Sequence, residues 1–183
     1  MDLGSALLLL VSLSWLILGI FLVYLVTWNW PAMFFQSRTG KDGVLFTMWK
    51  FRTLSLDERK TVAERRFAVG DFLRATSLDE LPQLINILKG EMSLIGPRPL
   101  PNEYVPLLTE QLRARHSVRP GITGCTQVSD RHTLPWEKKF ELDLYYVNNL
   151  TFWLDVKIAV KTIFVLLSFK KDISLEEKPF TGQ

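Results

Sequence analysis

The chain has 183 residues, of which 48% are hydrophobic and 22% are charged, and its formal net charge at pH 7 is +3. This length allows one domain with a hydrophobic core and leaves little room for a second. The single cysteine, Cys125, excludes an internal disulfide framework, so the composition fits a protein of a reducing compartment.

The first thirty residues are predicted to form a membrane-embedded helix. The twenty-four residues from 3 to 26 contain no charged side chain, and a helix of that length is roughly 36 Å long, which is enough to cross a bilayer. A signal peptide is the alternative, but the segment lacks a basic n-region and is longer than a normal h-region. The chain therefore divides into residues 1–30 in the membrane and a main domain of residues 31–183.

The basic residues predict on which side of the membrane the main domain lies. None precedes the apolar segment, whereas Arg38, Lys41, Lys50 and Arg52 follow it, which places the main domain on the cytoplasmic side. The segment contains no proline, so a continuous span is the preferred topology. A re-entrant helix is the alternative, because Ser14 can hydrogen-bond to a carbonyl group and bend the helix.

A small β-hairpin and a charged helix are predicted next. Residues 32–35 and 44–49 are short apolar runs on either side of a polar loop with two glycines, a pattern typical of a hairpin. Ser55 and Glu58 have the spacing of a capping box, which predicts a charged helix that runs to about Phe67 and is ended by Gly70.

The stretch TSLDELPQL, residues 76–84, places two adjacent carboxylates, Asp79 and Glu80, before a proline. Ser77 and Glu80 are spaced as a capping box, and acidic residues are favourable in the first turn of a helix. In that helix Pro82 would be the fifth residue, where it removes a backbone donor and crowds a carbonyl group. Local rules that conflict in this way mark strained or functional places, so a catalytic pair is the competing interpretation.

Helices and rigid loops alternate through the second half of the chain. Residues 81–88 have helical spacing and end before Gly90, a typical C-terminal glycine, and helices are also predicted over residues 104–118 and 136–147. Lys138, Lys139, Glu141 and Asp143 are expected on the wetter sides of the latter helix. Residues 96–99 and 119–124 are rich in proline and glycine and are expected to be irregular.

Residues 151–169 form the most amphipathic stretch of the sequence. Two interpretations are equally good: an ordinary core helix, or an interfacial helix whose lysines extend to lipid headgroups. The tail after Asp172 is polar and is expected to be loose.

Six cations lie on loops or element ends, beside glycine, proline or a helix terminus. They are Lys50, Arg52, Arg74, Arg98, Arg119 and Arg131. Arginines on rigid loops are well suited to bind phosphate, and with one acidic pair they indicate a polyanionic ligand such as a nucleoside diphosphate. A carboxylate beside such cations stays ionised, and it can attack phosphorus or hold Mg²⁺.

Other classes of site do not fit the sequence. It has neither usual glycine-rich phosphate-binding motif, no zinc-ligand spacing and no serine in a nucleophile elbow. Its aromatic residues do not alternate with basic residues, so nucleic acid binding is not expected.

Several ordered motifs resemble the bacterial sugar transferase family, in the short, PglC-like form of its monotopic phosphoglycosyl transferases. The motifs are KFRT at 50–53, SLDELPQL at 77–84, LKGEMSLIGPRP at 88–99, RHSVRPGITG at 115–124 and WEKKFELDLYY at 136–146. The resemblance implies an α+β fold that is mainly helical. An N-terminal membrane helix, a small hairpin and amphipathic interfacial helices would surround a compact catalytic domain, at the cytoplasmic face of the bacterial inner membrane.

The resemblance also implies a reaction. Asp79 would be the nucleophile that takes a sugar-1-phosphate from a UDP-sugar, releases UMP and passes the phospho-sugar to undecaprenyl phosphate. Mg²⁺ would bind near Asp79, and Glu80 would be either a metal ligand or a proton acceptor. Arg74, Arg98, Arg131 and Lys50 would face phosphate or uridine. Pro82 would then fit a distorted first turn that exposes the acidic pair. Membrane lipids and downstream glycosyltransferases are the other implied partners.

Two other functions compete with this one: an inactive membrane-bound scaffold that binds a nucleotide sugar or polyprenyl phosphate, and a nucleotide-sugar hydrolase.

The sequence also departs from the family pattern. The family bends its N-terminal helix at a Ser-Pro pair, whereas Leu13-Ser14 stands here without proline. Cys125 replaces a common tryptophan, and Ser129-Asp130 replaces a usual Asn-Gly.

Overall fold

The computed structural model describes residues 2–129, 134–168 and 179–182, which form a mixed α and β fold that is about half helical and has small sheets. The helices are α1 (Asp2–Ser12), α2 (Ser14–Val26), α3 (Ala68–Ala75), α4 (Gln83–Leu88), α5 (Glu110–Arg113), α6 (Trp136–Asn148) and α7 (Phe152–Leu167). The strands are β1 (Met33–Thr39), β2 (Leu45–Phe51), β3 (Ser93–Ile95) and β4 (Gly121–Thr123), and they form two separate pairs.

The apolar N-terminal segment forms two helices, so the prediction of one continuous helix is wrong. The axes of α1 and α2 are bent by 55° at the break. The hydroxyl groups of Ser12 and Ser14 donate to the carbonyl oxygens of Leu9 and Val11, at 3.1 and 2.8 Å. Such side-chain bonds compete with the helical ladder and bend it, so serine supplies the kink without proline.

The described residues contain no single helix that is long and apolar enough to cross a membrane, although the bent pair taken together has the necessary length and composition. Both of its helices pack on the rest of the molecule. Ala6 of α1 is fully buried in a cluster with Phe46 and Leu84, and Tyr24 of α2 is fully buried in a second cluster with Phe51. The N-terminal helices therefore share two hydrophobic clusters with the remainder of the chain.

The predicted hairpin is confirmed; β1 extends further into the loop than the sequence indicated, and β2 extends two residues further at its C-terminal end. Strands β1 and β2 are antiparallel, with Phe34 opposite Lys50 and Thr39 opposite Leu45. A short 3₁₀ helix, Lys41–Gly43, makes the turn, in which Gly43 has a φ of 77° that favours glycine.

The charged helix predicted to begin at Ser55 does not form. Residues 52–67 make a loop that is closed by a bridge between Leu54 and Arg66. The reciprocal capping bonds occur instead between Thr61 and Glu64, where the two backbone N–H groups donate to the opposite side chains at 2.8 and 3.4 Å. Most of this segment is exposed, so little apolar packing is available to stabilise a helix.

Gly70 lies inside α3, so the prediction that it ends a helix is wrong. A Cβ atom at this position would lie 2.5 Å from the carbonyl oxygen of Thr53. The glycine therefore lets α3 pack directly on the chain that follows the hairpin.

Two predictions about the middle of the chain are also wrong. The loop at 119–124 contains β4, which pairs in parallel with β3. The single helix over 104–118 is broken into the 3₁₀ helices Asn102–Leu107 and Ala114–Ser117 on either side of α5. Pro106 accounts for the first break, because it removes a backbone donor and crowds the preceding turn.

The C-terminal helices lie where the sequence predicts them, but some side chains predicted to face water are buried. Helix α6 has Lys139 and Asp143 buried, at 6% and 3% exposure, although both were expected on wetter sides. Helix α7 leaves Phe152, Trp153, Ile163, Phe164 and Leu167 at least half exposed, so it is not a core helix.

The described part of the tail is not loose, because Phe180 packs on Leu100, Leu108 and Phe140. Residues 169–178, on which the rest of that prediction falls, lie outside the described residues.

Candidate active site

Asp79 and Glu80 lie in a strained turn between α3 and α4. The turn is a 3₁₀ helix, Leu78–Glu80, and Ser77 before it has a φ of 56° and a ψ of 16°. This left-handed conformation is unfavourable for a residue with a Cβ atom, and such strain often accompanies a functional site. The Ser77 hydroxyl caps no backbone N–H, so the predicted capping box is wrong.

Pro82 is placed where a proline is tolerated. It is the residue that precedes α4, and the helix begins at Gln83. The missing N–H of Pro82 therefore costs no helical hydrogen bond. Pro82 would conflict with one helix that begins at Ser77, but the acidic pair and the following helix belong to two separate elements.

The acidic pair is buried, so the expectation that the distorted turn exposes it is wrong. Asp79 is 8% exposed and Glu80 is 7% exposed. The Oε1 atom of Glu80 accepts hydrogen bonds from Lys50 Nζ at 2.7 Å and from Arg98 Nη1 at 3.3 Å. Two cations on one buried carboxylate offset the cost of removing its charge from water.

A buried asparagine sets the distance between the hairpin and the acidic turn. Asn86 of α4 is fully buried; its side chain donates to the carbonyl oxygen of Thr47 at 2.7 Å and accepts from the N–H of Trp49 at 3.1 Å. It also donates to Glu91 at 2.6 Å. Because these bonds tie α4 to β2, they hold Glu80 within reach of Lys50, which is next in the strand.

Arg98 reaches Glu80 from the loop that follows β3. This loop is held against β4: the N–H of Gly96 donates to Thr123 at 2.9 Å, and that of Gly121 donates to Pro97 at 2.9 Å. A Cβ atom on Gly121 or Gly124 would overlap with the backbone of Gly96. The glycines therefore permit the close contact that positions Arg98.

The N-terminal helices also reach the site. Tyr24 of α2 donates a hydrogen bond to the carbonyl oxygen of Arg52, and the hydrophobic cluster around Tyr24 includes Leu78 and Leu81, on either side of the acidic pair. Arg52 itself donates to the carbonyl oxygens of Pro31 and Met33, at 2.9 and 3.1 Å, and burial lowers the pKa of its guanidinium group. The structure thus places Arg52 at the base of the hairpin, engaged with backbone oxygens.

The remaining predicted cations are distributed more widely. Arg74, 9% exposed, donates to Asp71 at 2.6 Å, and its helix α3 packs on the turn that carries the acidic pair. Arg119 is exposed just before β4. Arg131 lies outside the described residues. Of these six cations, Lys50 and Arg98 form ion pairs with Glu80.

Arg38, which the sequence did not single out as a site residue, lies beside Arg98. Its guanidinium donates to Gln36 at 2.6 Å and to the carbonyl oxygen of Pro99 at 3.4 Å, while its buried Nε atom has no hydrogen-bond partner among the described residues. Burial, reinforced by the charge of Arg98, lowers the pKa of Arg38 to about 10. The feature of the sequence that could have identified Arg38 as a site residue is its position next to a turn that contains glycine.

Sequence reasoning also missed Tyr24, Arg115 and Asp143. Tyr24 was treated as part of an apolar run, although a buried tyrosine hydroxyl usually needs a partner. Arg115 and Asp143 form a buried ion pair behind the Arg98 loop. Both lie in motifs named in the sequence analysis, but no feature of the residues around them indicates that the two side chains are in contact.

Comparison with known proteins gives a consistent result. A family model described as bacterial sugar transferase matches residues 1–169. The chain is 43% identical to the uncharacterized sugar transferase EpsL of Bacillus subtilis, over 99% of this chain and 94% of that protein. It is 40% identical to the UDP-glucose:undecaprenyl-phosphate glucose-1-phosphate transferase of Escherichia coli, over 89% of this chain and 38% of that protein.

A further relative is the undecaprenyl-phosphate galactose phosphotransferase of Salmonella typhimurium. The identity is 36%, and the match covers 82% of this chain and 36% of that protein. The chain therefore spans less than two-fifths of the length of the Escherichia coli and Salmonella relatives.

Proposed function

The chain belongs to the bacterial sugar transferase family, and on that premise we propose that it transfers a sugar-1-phosphate from a UDP-sugar to undecaprenyl phosphate and so initiates a glycan. Undecaprenyl phosphate is named in two of the relatives described above. The observation that carries the proposal is the convergence of Lys50 and Arg98 on Glu80, directly beside the buried Asp79. A diphosphate needs such cations, and its cleavage needs a nucleophile next to them.

The reaction proceeds by two displacements at one phosphorus atom. A carboxylate oxygen of Asp79 attacks the phosphorus that bears the sugar, the bond to the UMP oxygen breaks, and UMP leaves. An oxygen of undecaprenyl phosphate then attacks the same phosphorus and releases the Asp79 carboxylate. Lys50 and Arg98 stabilise the charge on the phosphate oxygens, and burial of Asp79 keeps water from the aspartyl phospho-sugar.

Mg²⁺ fits the donor set around Asp79. The described residues contain no group of three or more acidic, histidine or cysteine side chains that could hold a metal by themselves. Mg²⁺ commonly binds through one or two carboxylates together with substrate phosphates, so Asp79 would be its ligand from this chain. When bound, the ion would neutralise part of the diphosphate charge.

The proposed location is the cytoplasmic face of the bacterial inner membrane. The supporting observation is the exposed apolar surface of α1, α2 and α7, which includes Leu8, Trp15, Val26, Trp153 and Phe164. The acceptor lipid would then be available in the membrane to which the protein is bound. The product is a lipid-linked sugar, which downstream glycosyltransferases would extend.

The test is UMP release by the purified full-length protein. The protein is incubated with a panel of UDP-sugars, Mg²⁺ and undecaprenyl phosphate in detergent micelles. We expect multiple-turnover UMP release to depend on the lipid, and all UMP release to be abolished in Asp79→Asn, because the amide cannot act as the nucleophile. Asp57→Asn, which removes a loop carboxylate paired with Arg59, is the matched control and should retain activity.

Each alternative gives a different result in the same assay. Release of many UMP molecules per protein without lipid would favour a hydrolase, because a transferase without its acceptor stops after one. UDP-sugar binding, measured separately, with no release across the panel would favour a scaffold. Mass spectrometry of the protein after reaction with the UDP-sugar alone should find a phospho-sugar adduct on Asp79. A lipid-dependent reaction whose adduct lies on another residue would contradict the assignment of the nucleophile.

A further inference from the structure

A buried ion pair lies behind the loop that carries Arg98. Arg115 and Asp143 are each 3% exposed. The Nε and Nη2 atoms of Arg115 donate to the same oxygen of Asp143, at 3.0 and 2.5 Å. The other oxygen of Asp143 accepts from the hydroxyl of Thr126 at 2.8 Å. Both carboxylate oxygens are thus engaged, and the guanidinium is held in one orientation.

The ion pair is connected to the site through one backbone atom. Arg115 Nη2 also donates to the carbonyl oxygen of Arg98 at 2.7 Å. The neighbouring residues of the loop have other anchors, because Gly96 and Pro97 are bonded to β4 and Pro99 accepts from Arg38. The Arg115 contact therefore determines the orientation of the Arg98 peptide rather than the existence of the loop.

We propose that Arg115 and Asp143 are positioning residues that fix the Arg98 peptide and so direct its guanidinium to Glu80 and to the substrate phosphate. This inference rests on the proposed transferase function. A buried ion pair is a poor device for stability alone, because desolvation costs about as much as the attraction returns. What an apolar pair of similar size could not supply is the directed bond to the Arg98 carbonyl group.

Arginine is suited to this role because its planar group donates in two fixed directions at once. Here one nitrogen bonds to both Asp143 and Arg98, while a second bonds to Asp143 alone. Lysine has a single nitrogen on a flexible stem, so it would not reproduce both contacts with the same geometry.

The experiment compares three variants of the full-length protein: Asp143→Asn, Arg115→Lys, and the double variant Arg115→Met with Asp143→Leu. We expect kcat/KM for UMP release to fall about 100-fold in each, the usual scale for a misplaced site group. The apolar double variant should melt near the wild-type temperature, because apolar residues can replace a buried ion pair without loss of stability. The control pair is Lys138→Ala with Glu141→Ala, an exposed ion pair of α6, and it should leave both quantities unchanged.

A double-mutant cycle with Arg98→Ala separates positioning from a general structural role. If Asp143 acts through Arg98, adding Asp143→Asn to Arg98→Ala should lower kcat/KM by no more than about twofold. Effects that multiply, or a folded apolar double variant with wild-type kcat/KM, would overturn the proposal.

Amide hydrogen exchange gives a readout that needs no activity. Within the peptide that covers residues 93–101, the amides of Arg98 and Leu100 should exchange faster in Asp143→Asn than in wild type, because they flank the Arg98 carbonyl group that has lost its anchor. Unchanged exchange in that peptide would also overturn the proposal. If the wild-type protein released no UMP, the transferase function would fail, while the exchange measurement would still test the anchor.

Discussion

Individual side chains concentrate positive charge around two buried carboxylates. Lys50 and Arg98 share one oxygen of Glu80, and Arg38 adds a second guanidinium beside Arg98. Like charges held together in a partly buried place repel one another unless an anion lies between them. The arrangement of single residues thus favours a ligand with several negative charges, as the diphosphate of a UDP-sugar has.

His116 provides a prediction about pH. It is 9% exposed, and burial, together with the charges of Arg115 and Arg113, lowers its pKa from 6.5 to about 4. Between these values the unfolded chain binds more protons than the folded protein, so the free energy of unfolding falls as the pH falls from 6.5 towards 4. The loss amounts to at most about 3 kcal/mol.

The measurement is denaturant unfolding of wild type and His116→Gln at several pH values. Carboxylate titration contributes to both proteins, so the difference between the two curves isolates His116. We expect the variant to lose less stability than wild type between pH 6.5 and pH 4. Parallel curves over that interval would contradict the lowered pKa.

Among the secondary-structure elements, the bent helix pair has the clearest functional consequence. Helix α1 packs on α4 through Ala6 and Leu10, and α2 packs on the hairpin through Tyr24. Both arms of the pair therefore contact the domain that contains Asp79. We infer that the chain enters and leaves the lipid on one face, as a re-entrant segment.

A cysteine-labelling experiment tests this topology. Asp2→Cys is introduced into a Cys125→Ala background, and intact cells and inverted membrane vesicles are treated with a membrane-impermeant maleimide. We expect labelling in inverted vesicles only, because residue 2 should lie on the cytoplasmic side. Lys138→Cys on the exposed part of α6 is the control for that side. Labelling of residue 2 in intact cells alone would indicate a span.

Considered as a whole, the molecule has most of its exposed large apolar side chains on three helices, α1, α2 and α7. Helix α7 buries only Ile158 of its own residues. An exposed apolar area of this kind usually marks contact with lipid or another protein. Lys157 and Lys161 on α7 could extend towards headgroups, as an interfacial helix requires.

A fluorescent label on α7 tests this arrangement. Phe164→Cys, in the Cys125→Ala background, is labelled with an environment-sensitive dye and the protein is placed in vesicles. Phe164 is 68% exposed, so a dye at this position should contact acyl chains. Its fluorescence emission should then shift to shorter wavelengths and be quenched by brominated lipids. The label on Lys138→Cys should remain in water. Equal emission and quenching at the two positions would contradict a lipid-facing α7.

Much of the fold could be predicted because it depends on neighbours in the chain. The hairpin, the end of α4 near Gly90 and the boundaries of α6 follow from turn residues and periodicity. Predictions failed where packing overrode a local signal. Ser55 and Glu58 had the spacing of a helix start without an apolar face to bury, and Gly70 was taken as a breaker although it permits a close contact.

The sequence by itself determined that Asp79 and Glu80 are unusual, since their proline conflict and the motifs around them require only residues next to one another. The tertiary structure alone decided what surrounds them. Lys50 and Glu80 are 30 positions apart, and Arg115 and Asp143 are 28 positions apart. Contacts over such separations depend on how helices and strands pack, because the cost of closing the chain is repaid only when whole surfaces meet. For that reason the acidic pair could be singled out from the sequence, whereas its burial and its cationic partners could not be predicted.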